Sequence, residues 1–177
     1  ISDQDTPPVM NTLTTDDGVN LAYSYVEGGD KAVILLHMLN QHKGTWYDLP
    51  DKLKVAGYSS LAIDFRGHGK SLLGDKPLSY ALYQNDIQDV LTHLGVTRYS
   101  LFGFSDGGIV GYRLAAHRPE NVECLITLGS QWRLEPNDPS VELFSSLTAE
   151  FWTEEFGDDV ARYHASNPKP DFSKLVT

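Results

Sequence analysis

The sequence predicts an α/β fold in which a doubly wound, mostly parallel sheet of about six strands is flanked by helices. Two observations predict this fold class. Short apolar runs bounded by turn residues recur along the first 130 of the 177 residues. From residue 32 onward these runs alternate with segments whose apolar residues repeat at three- and four-residue spacing, as in helices that connect parallel strands by right-handed crossovers.

Six strands are predicted, in the order 9–15, 19–27, 32–37, 58–64, 99–104 and 122–129. The first two alternate polar and apolar residues and are separated by "DDG", which predicts an antiparallel hairpin with one exposed face. The later runs "AVILLH" and "LITLG" are almost wholly aliphatic, as is typical of parallel strands covered on both faces. Helices are predicted at about 44–56, 79–94 and 106–117.

The chain after Gly129 shows no strand pattern. Its aromatic-rich sequence predicts three short helices, at 140–147, 148–156 and 158–165. We therefore divide the chain into a core domain, 1–130, and a helical cap or lid segment, 131–177, which looks incomplete. A cap over the carboxyl ends of the strands would roof a pocket, because open α/β sheets bind ligands at that edge.

The composition excludes several classes of function. The 24 acidic and 14 basic side chains give a formal net charge of −10, which disfavours a nucleic-acid partner. No apolar stretch is long enough to span a bilayer, so no membrane partner is expected. The single cysteine, Cys124, lies in the apolar run "VECLITLG", where it cannot form an internal disulfide and is expected to be buried in the core.

The chain begins with "ISDQDTPP", which is neither a methionine start nor a signal peptide. We expect that residues before it were removed or left out. A cytoplasmic location is favoured, and a secreted or periplasmic location after removal of a signal peptide stays open.

The stretch Gly103-Phe104-Ser105-Asp106-Gly107 fits the pattern G-x-S-x-G. A predicted strand precedes it and a predicted helix follows it, which is the context of a nucleophile elbow. The turn is so tight that bulky side chains do not fit two residues before or after the serine, and Gly103 and Gly107 supply that room. Ser105 is therefore the candidate catalytic nucleophile, and the alternative is a structural Gly-Ser turn.

Three motifs in order, "VILLHMLNQHKGTW", "LAIDFRGHGKS" and "LFGFSDGG", resemble the α/β-hydrolase fold family over residues 17 to 130. The elbow is similar to that of biphenyl-hydrolase-like and other small-ester hydrolases. The resemblance implies a serine hydrolase that acts by acyl transfer on a small ester, amide, thioester or lactone, without cofactor or metal. Dehalogenases and epoxide hydrolases resemble the chain overall but use aspartate where this sequence has Ser105.

The resemblance also implies an oxyanion hole made of two backbone N–H groups. One belongs to Asp106, and the second belongs by position to Leu39. The family usually has glycine where this sequence has Met38, and Met38 is the alternative donor if the loop shifts by one residue. His37 is expected to brace this loop.

The turn "DFRGHGKS" (64–71) offers further polar side chains. The resemblance implies that Asp64 accepts backbone hydrogen bonds and that Arg66 makes internal polar contacts. A phosphate-binding loop is disfavoured because no lysine stands at the required spacing.

In this family an acid and then a histidine follow the serine. After Ser105 the chain offers His117, roughly 18 Å away at the far end of one helix, and His164, on a predicted cap helix. We therefore expect the acid and the base beyond Thr177, and expect this chain to be a truncated and inactive portion of the enzyme.

Other interpretations stay open. The chain could be a non-catalytic protein that binds a ligand or partner on a hydrolase scaffold. A cofactor-free haloperoxidase or a carbon–carbon hydrolase would use the same elbow. An uncovered sixth strand would also expose an apolar edge, which predicts a homo-oligomer.

Overall fold

In the computed structural model, which describes residues 10–176, six strands form one sheet. They are β1 (Asn11–Thr14), β2 (Asn20–Val26), β3 (Lys31–Leu36), β4 (Tyr58–Ile63), β5 (Tyr99–Phe104) and β6 (Val122–Leu128). All six predicted strands are confirmed, although position 9 of the first prediction lies outside the described residues. The strand order across the sheet is β1-β2-β4-β3-β5-β6.

The pairing of the strands determines where a site can form. β1 and β2 form the predicted antiparallel hairpin, and β2 also pairs antiparallel with β4. The predicted exposed face is wrong for β2, in which residues 21–24 are all buried. β3 lies between β4 and β5 and is parallel to both. The connection after β3 leads to β4 on one side of it, and the connection after β5 leads to β6 on the other side. The loops that follow β3 and β5 therefore separate at the carboxyl ends of these two neighbouring strands, which is where doubly wound folds bind ligands.

Helices cover both faces of the sheet. α2 (Tyr80–Leu94) and α3 (Asp106–His117) pack on one face against a large apolar cluster that includes Ile34, Leu61 and Leu101. On the other face, Leu35 and Ala62 of the sheet pack with Trp46 and with residues of α1 (Leu49–Val55).

The helix predicted at about 44–56 is present in part and is interrupted. The segment forms a 3₁₀ turn, Lys43–Trp46, and then α1. Tyr47 separates them with φ 47°, in the left-handed region that interrupts a helix. The Pro50 ring stands in the first turn of α1, where the missing N–H is tolerated.

Four helices follow β6, and residues 129–176 contain no strand, as predicted. They are α4 (Pro139–Ser146), α5 (Ala149–Glu155), α6 (Gly157–Ser166) and α7 (Phe172–Leu175). The first three match the predicted helices, whereas α7 was not predicted. The aromatic residues of the segment after β6 are not all buried, since Trp132 is 76% exposed.

The end of this helical segment is anchored to the core. Side chains of α6 and α7 form an apolar cluster that also includes Leu39 and Leu78. The Asn167 side-chain amide donates to the carbonyl oxygens of Gly67, Gly69 and Ser71 at 3.0–3.2 Å. The segment therefore shares packing with the core, and the domain boundary at residue 130 stays a prediction.

The predicted burial of Cys124 is wrong, because the residue is exposed. β6 pairs only with β5, so it is an edge strand within the described residues. Its Leu125 and Thr127 side chains face α3, while Ile126 and Leu128 are each 56% exposed. Alternate residues of a strand point to the same face, so Cys124 lies on the same exposed face of β6 as Ile126 and Leu128.

Candidate active site

Ser105 stands between β5 and α3 with φ 52° and ψ −116°. A positive φ in a residue with a side chain costs of order 1–3 kcal/mol and persists only where surrounding contacts impose it. Here the Ser105 N–H donates to the Leu128 carbonyl oxygen at 2.8 Å, and the Ser105 carbonyl accepts from the Gly108 N–H at 2.9 Å. The sharp turn predicted from the sequence is therefore present, with Ser105 at its apex.

Three glycines make this turn sterically feasible. A Cβ on Gly103 would lie 2.5 Å from the Gly107 carbonyl oxygen, closer than real Cβ atoms approach. A Cβ on Gly107 would overlap the Leu36 carbonyl, and one on Gly108 would overlap the Ser130 hydroxyl. The start of α3 thus packs directly against the backbone at the end of β3.

Ser130, which belongs to none of the sequence motifs, also holds the elbow. Its hydroxyl donates to the Ser105 carbonyl oxygen at 2.8 Å. Together with the bond from the Ser105 N–H to the Leu128 carbonyl, it ties the candidate nucleophile to the end of β6. In the sequence, the signal for this contact is a hydroxyl-bearing residue directly after the last predicted strand, which lies beside β5.

The predicted oxyanion donors lie close together, but in an unexpected arrangement. The Leu39 N–H donates to the Asp106 side chain, at 3.1 Å from Oδ2. The Tyr80 hydroxyl donates to the other oxygen of the same carboxylate at 2.6 Å. The Leu39 N–H is therefore occupied by a carboxylate in this structure, and its role as an oxyanion donor stays a prediction.

The backbone N–H of Asp106 has a different environment. The first hydrogen bonds of α3 run from the N–H groups of Gly108 and Ile109 to the Ser105 carbonyl. The N–H groups of Asp106 and Gly107 precede them and have no acceptor in the helix. These groups lie at the positive end of the α3 dipole, next to Ser105, where negative charge is favoured.

His37 braces the loop, as predicted. Its ring is fully buried, accepts from the Phe65 N–H at 2.9 Å through Nε2 and donates through Nδ1 to the Met38 carbonyl at 2.7 Å. Burial lowers the pKa of His37 to about 4. The neutral ring therefore joins the ends of β3 and β4 and does not contact Ser105 by any hydrogen bond within residues 10–176.

Asp64 has the predicted scaffold role. The Asp64 carboxylate accepts from the Lys43 N–H at 2.5 Å and the Lys70 N–H at 2.9 Å, and it pairs with the Lys43 ammonium at 3.0 Å. It therefore joins the loop after β3 to the loop after β4.

Arg66 also has its predicted role. Its side chain is 1% exposed and forms ion pairs with Asp17 and Asp86 at 2.6 and 2.7 Å. The hydrogen bonds from the Arg66 guanidinium hold the pKa of Asp17 well below its usual range. Both carboxylates and the arginine stabilise the turn from inside the protein.

His68 is a buried residue whose environment the sequence did not reveal. Its Nδ1 donates to the Arg66 carbonyl at 3.1 Å, and its Nε2 has no hydrogen-bond partner among the described residues. Burial, and then the neighbouring His37, lower the pKa of His68 to about 3. His68 is therefore neutral near pH 7.

The two histidines that follow Ser105 in the chain do not form a relay with it. His117 is the last residue of α3, and His164 lies on an exposed face of α6. Within residues 10–176, no hydrogen bond joins the Ser105 hydroxyl to a histidine or a carboxylate.

Membrane-spanning helices and metal clusters are both lacking in the part of the chain that the structure describes. None of the helices in residues 10–176 is both long and apolar enough to cross a membrane. No group of three or more histidine, cysteine, aspartate or glutamate side chains in that range is arranged to hold a metal ion.

A family model described as alpha/beta hydrolase fold matches residues 31–175, which include the elbow and the loop after β3. The chain belongs to the α/β hydrolase fold family. An esterase from Exiguobacterium antarcticum superposes on this α/β hydrolase chain with a TM-score of 0.76 at 19% identity, over 95% of this chain and 71% of that one. The predicted fold class, a doubly wound, mostly parallel α/β sheet of the α/β hydrolase type, is confirmed.

Two further relatives of the α/β hydrolase chain are known by sequence. An uncharacterised protein of Mycobacterium tuberculosis is 32% identical over 127 residues, which are 70% of this chain and 36% of that protein. Epoxide hydrolase 2 of Siraitia grosvenorii is 26% identical over 142 residues, 78% of this chain and 45% of that enzyme. The chain thus spans less than half the length of either relative.

Proposed function

We propose that this chain is part of a serine hydrolase that cleaves a small ester, amide, thioester or lactone by acyl transfer through Ser105. The observation that carries the proposal is the Ser105 backbone, at φ 52° and ψ −116° between close-packed glycines. Strain of this kind concentrates at reacting groups. The similarity to an esterase and to an epoxide hydrolase supports hydrolase chemistry.

The residue at the elbow favours acyl transfer over epoxide opening. A serine hydroxyl forms an ester with an acyl group, and water cleaves that ester in a second step. Epoxide hydrolases use an aspartate at the corresponding point, as the family resemblance implies. Ser105 therefore supports an esterase-like reaction, although a named epoxide hydrolase is among the relatives.

In the proposed reaction, Ser105 Oγ attacks the carbonyl carbon and its proton passes to a histidine base. The leaving group takes that proton as its bond to the acyl carbon breaks, and water deprotonated by the same histidine then releases the acid. The Asp106 N–H, joined by the Leu39 N–H once the Asp106 carboxylate moves away, stabilises the oxyanion. The proposal takes the acid and the histidine from outside residues 10–176.

A non-catalytic binding protein on the same scaffold is the second candidate. The observation that favours it is the lack of a histidine or carboxylate bonded to the Ser105 hydroxyl within the described part of the chain. Without a base, a hydroxyl is a weak nucleophile, and binding and the oxyanion donors supply only residual rate enhancement.

A fluorophosphonate probe, which forms a covalent bond with an activated serine, separates the two candidates. It is applied to this chain and to a longer protein that contains it, each beside Ser105→Ala and the matched control Ser145→Ala on the exposed face of α4. We expect labelling of the longer protein that Ser105→Ala abolishes and Ser145→Ala leaves unchanged. Labelling that survives Ser105→Ala contradicts the proposed nucleophile, and no labelling of any form favours the binding protein.

A further inference from the structure

The carboxylate of Asp106 accepts two hydrogen bonds from separate parts of the chain. The Leu39 N–H, in the loop after β3, donates to Oδ2 at 3.1 Å. The hydroxyl of Tyr80, the first residue of α2, donates to Oδ1 at 2.6 Å. Each carboxylate oxygen thus has one donor of its own, as the oxygens of a bound carboxylate ligand would have.

The two donors are also held by contacts that do not involve Asp106. The Leu39 side chain packs against the apolar cluster of α6 and α7. The Tyr80 ring lies against Tyr83, and the Ser79 side chain caps the start of α2. The donors therefore keep their positions when the carboxylate leaves them. A site whose donors are already in place loses less entropy when a ligand binds.

The two donors are accessible and protonated. Tyr80 is 38% exposed, and Leu39 and Asp106 are half-buried. Burial, and then the neighbouring Asp106 carboxylate, raise the pKa of Tyr80, so its hydroxyl keeps its proton at neutral pH and remains a donor. A dissolved anion can therefore compete with the Asp106 side chain for both donors.

The electrostatic environment favours a carboxylate at this place. Asp106 is the first residue of α3, where the positive end of the helix dipole stabilises negative charge. Among residues 10–176, no lysine, arginine or histidine forms an ion pair with the Asp106 carboxylate. The carboxylate is thus held by two neutral donors and the helix dipole, and a dissolved carboxylate has the same charge and the same two oxygens.

The site lies beside the candidate nucleophile, because Asp106 directly follows Ser105 in the chain. In the proposed reaction, water releases a carboxylic acid from Ser105, and such an acid is ionised near pH 7. The donors of the site would bind this product. The Asp106 side chain is tethered next to the same donors, so its effective concentration there is high and it competes with the product.

We propose that the Leu39 N–H and the Tyr80 hydroxyl form a binding site for a monocarboxylate, the chemical class of the acid product, and that Asp106 fills this site and so expels the product. The assignment of the ligand as the product rests on the proposed function. The site itself rests on the two donors and the carboxylate that they hold.

The test measures binding of sodium butyrate to this chain, followed by the backbone amide signal of Leu39 in ¹⁵N NMR spectra at low chloride. In Asp106→Ala the donors have no internal acceptor, so butyrate should bind with a Kd in about the millimolar range, as expected for two hydrogen bonds to a charged group. In the unsubstituted chain, binding should be at least about tenfold weaker, because the tethered carboxylate competes. Butyramide, a neutral molecule of the same shape, should bind more weakly than butyrate to Asp106→Ala.

Further variants separate the site from general effects of charge and folding. Adding Tyr80→Phe to Asp106→Ala should weaken butyrate binding about tenfold, because one donor to a charged group is lost. Asp106→Asn still has an oxygen that can accept the Leu39 N–H, so it should bind butyrate more weakly than Asp106→Ala. Asp51→Ala, at an exposed position of α1, removes one negative charge elsewhere and should bind butyrate as weakly as the unsubstituted chain. Asp106→Ser, which also lacks the carboxylate, takes the place of Asp106→Ala if that variant does not fold.

Three results would overturn the inference: no binding of butyrate once the Asp106 carboxylate is removed, equal binding in the unsubstituted chain, or binding that Tyr80→Phe leaves unchanged. Equal gains in Asp51→Ala and Asp106→Ala would also overturn it, since they would show an effect of net charge alone. Failure of the proposed function is recognised separately, because butyrate binding involves no turnover. In that case butyrate binds as expected, but fluorophosphonate labelling does not depend on Ser105.

Discussion

The Leu39 N–H donates a 3.1 Å hydrogen bond to the carboxylate of Asp106, the residue that follows the candidate nucleophile. The two residues are 67 positions apart, and the contact joins the loop after β3 to the start of α3. In the proposed reaction the Leu39 N–H would instead donate to the oxygen of the tetrahedral intermediate. Because the Asp106 carboxylate accepts this N–H in the free protein, the proposed role of Leu39 requires that the carboxylate move away.

The first prediction concerns the charge of this carboxylate. Two negative charges about 4 Å apart repel by roughly 1 kcal/mol in water and more in a partly buried site, so Asp106 should slow formation of an oxyanion beside it. In a longer, active protein, Asp106→Asn should raise the second-order rate constant of fluorophosphonate labelling about five- to tenfold. Asparagine can still accept the Leu39 N–H, so the loop stays anchored.

Tyr80→Phe is the matched control for this prediction. It removes the hydroxyl that donates to Asp106 at 2.6 Å but leaves the charge in place. Its labelling rate should change much less than that of Asp106→Asn. A tenfold loss of rate in Asp106→Asn would instead mean that the charged carboxylate is needed to position the loop.

The second prediction concerns the glycines of the elbow. In Gly107→Ala the new methyl group would overlap the Leu36 carbonyl, a backbone atom that cannot move aside. We expect a loss of about 3 kcal/mol or more in the free energy of unfolding, measured by urea titration. Gly157→Ala at the start of α6 is the control, since a methyl group added there would have no neighbour within 4 Å and the φ of Gly157 is not positive. It should be neutral or slightly stabilising, and equal effects at the two sites would contradict the close packing of α3 on β3.

The elbow and the sheet were predictable because their signals are local. Aliphatic runs mark buried strands, and the spacing of Gly103 and Gly107 about Ser105 identifies a turn that other residues cannot form. The order of these features in the chain was sufficient to place Ser105 between β5 and α3.

The features that were missed depend on residues far apart in the chain. Cys124 lies in an apolar run, but its exposure is decided by what covers β6, which the run itself does not encode. The hydrogen bond from the Leu39 N–H to Asp106 and that from the Ser130 hydroxyl to the Ser105 carbonyl exist only after the sheet has assembled. His68, between two glycines in a turn, is buried because α2 and the cap segment pack around that turn.

The third prediction concerns pH. The pKa values of His37 and His68 fall from 6.5 to about 4 and about 3 on folding. Between these values the unfolded chain binds more protons than the folded one, so stability decreases as the pH falls from about 6.5 towards 4. Each histidine contributes a slope of up to about 1.4 kcal/mol per pH unit in that range.

The variant His68→Asn tests this assignment, because asparagine can keep the hydrogen bond to the Arg66 carbonyl without titrating. Unfolding free energies from urea titrations at pH 7, 6 and 5 should show a shallower slope in His68→Asn than in the unsubstituted protein. His93→Gln, at an exposed position of α2, should leave the slope unchanged. An unchanged slope in His68→Asn would mean that the ring is hydrated and titrates normally in the folded state.

The last prediction concerns the edge strand β6. On the side away from β5, its backbone N–H and C=O groups have no partner strand among residues 10–176. The side chains of Ile126 and Leu128 are each 56% exposed. Unpaired edges with apolar side chains pair with other chains, so we predict a homo-oligomer of this chain in solution. Light scattering over about a hundredfold range of protein concentration, in the presence of a reductant that keeps Cys124 from cross-linking, should show a mass that rises with concentration.

The variant Ile126→Lys should shift the mass towards the monomer, because a charge on an edge strand opposes pairing. Val55→Lys, at an exposed position of α1, is the control and should leave the mass unchanged. A strict monomer at all concentrations would contradict the prediction and would mean that the twist of β6 or its flanking helices already blocks a second chain.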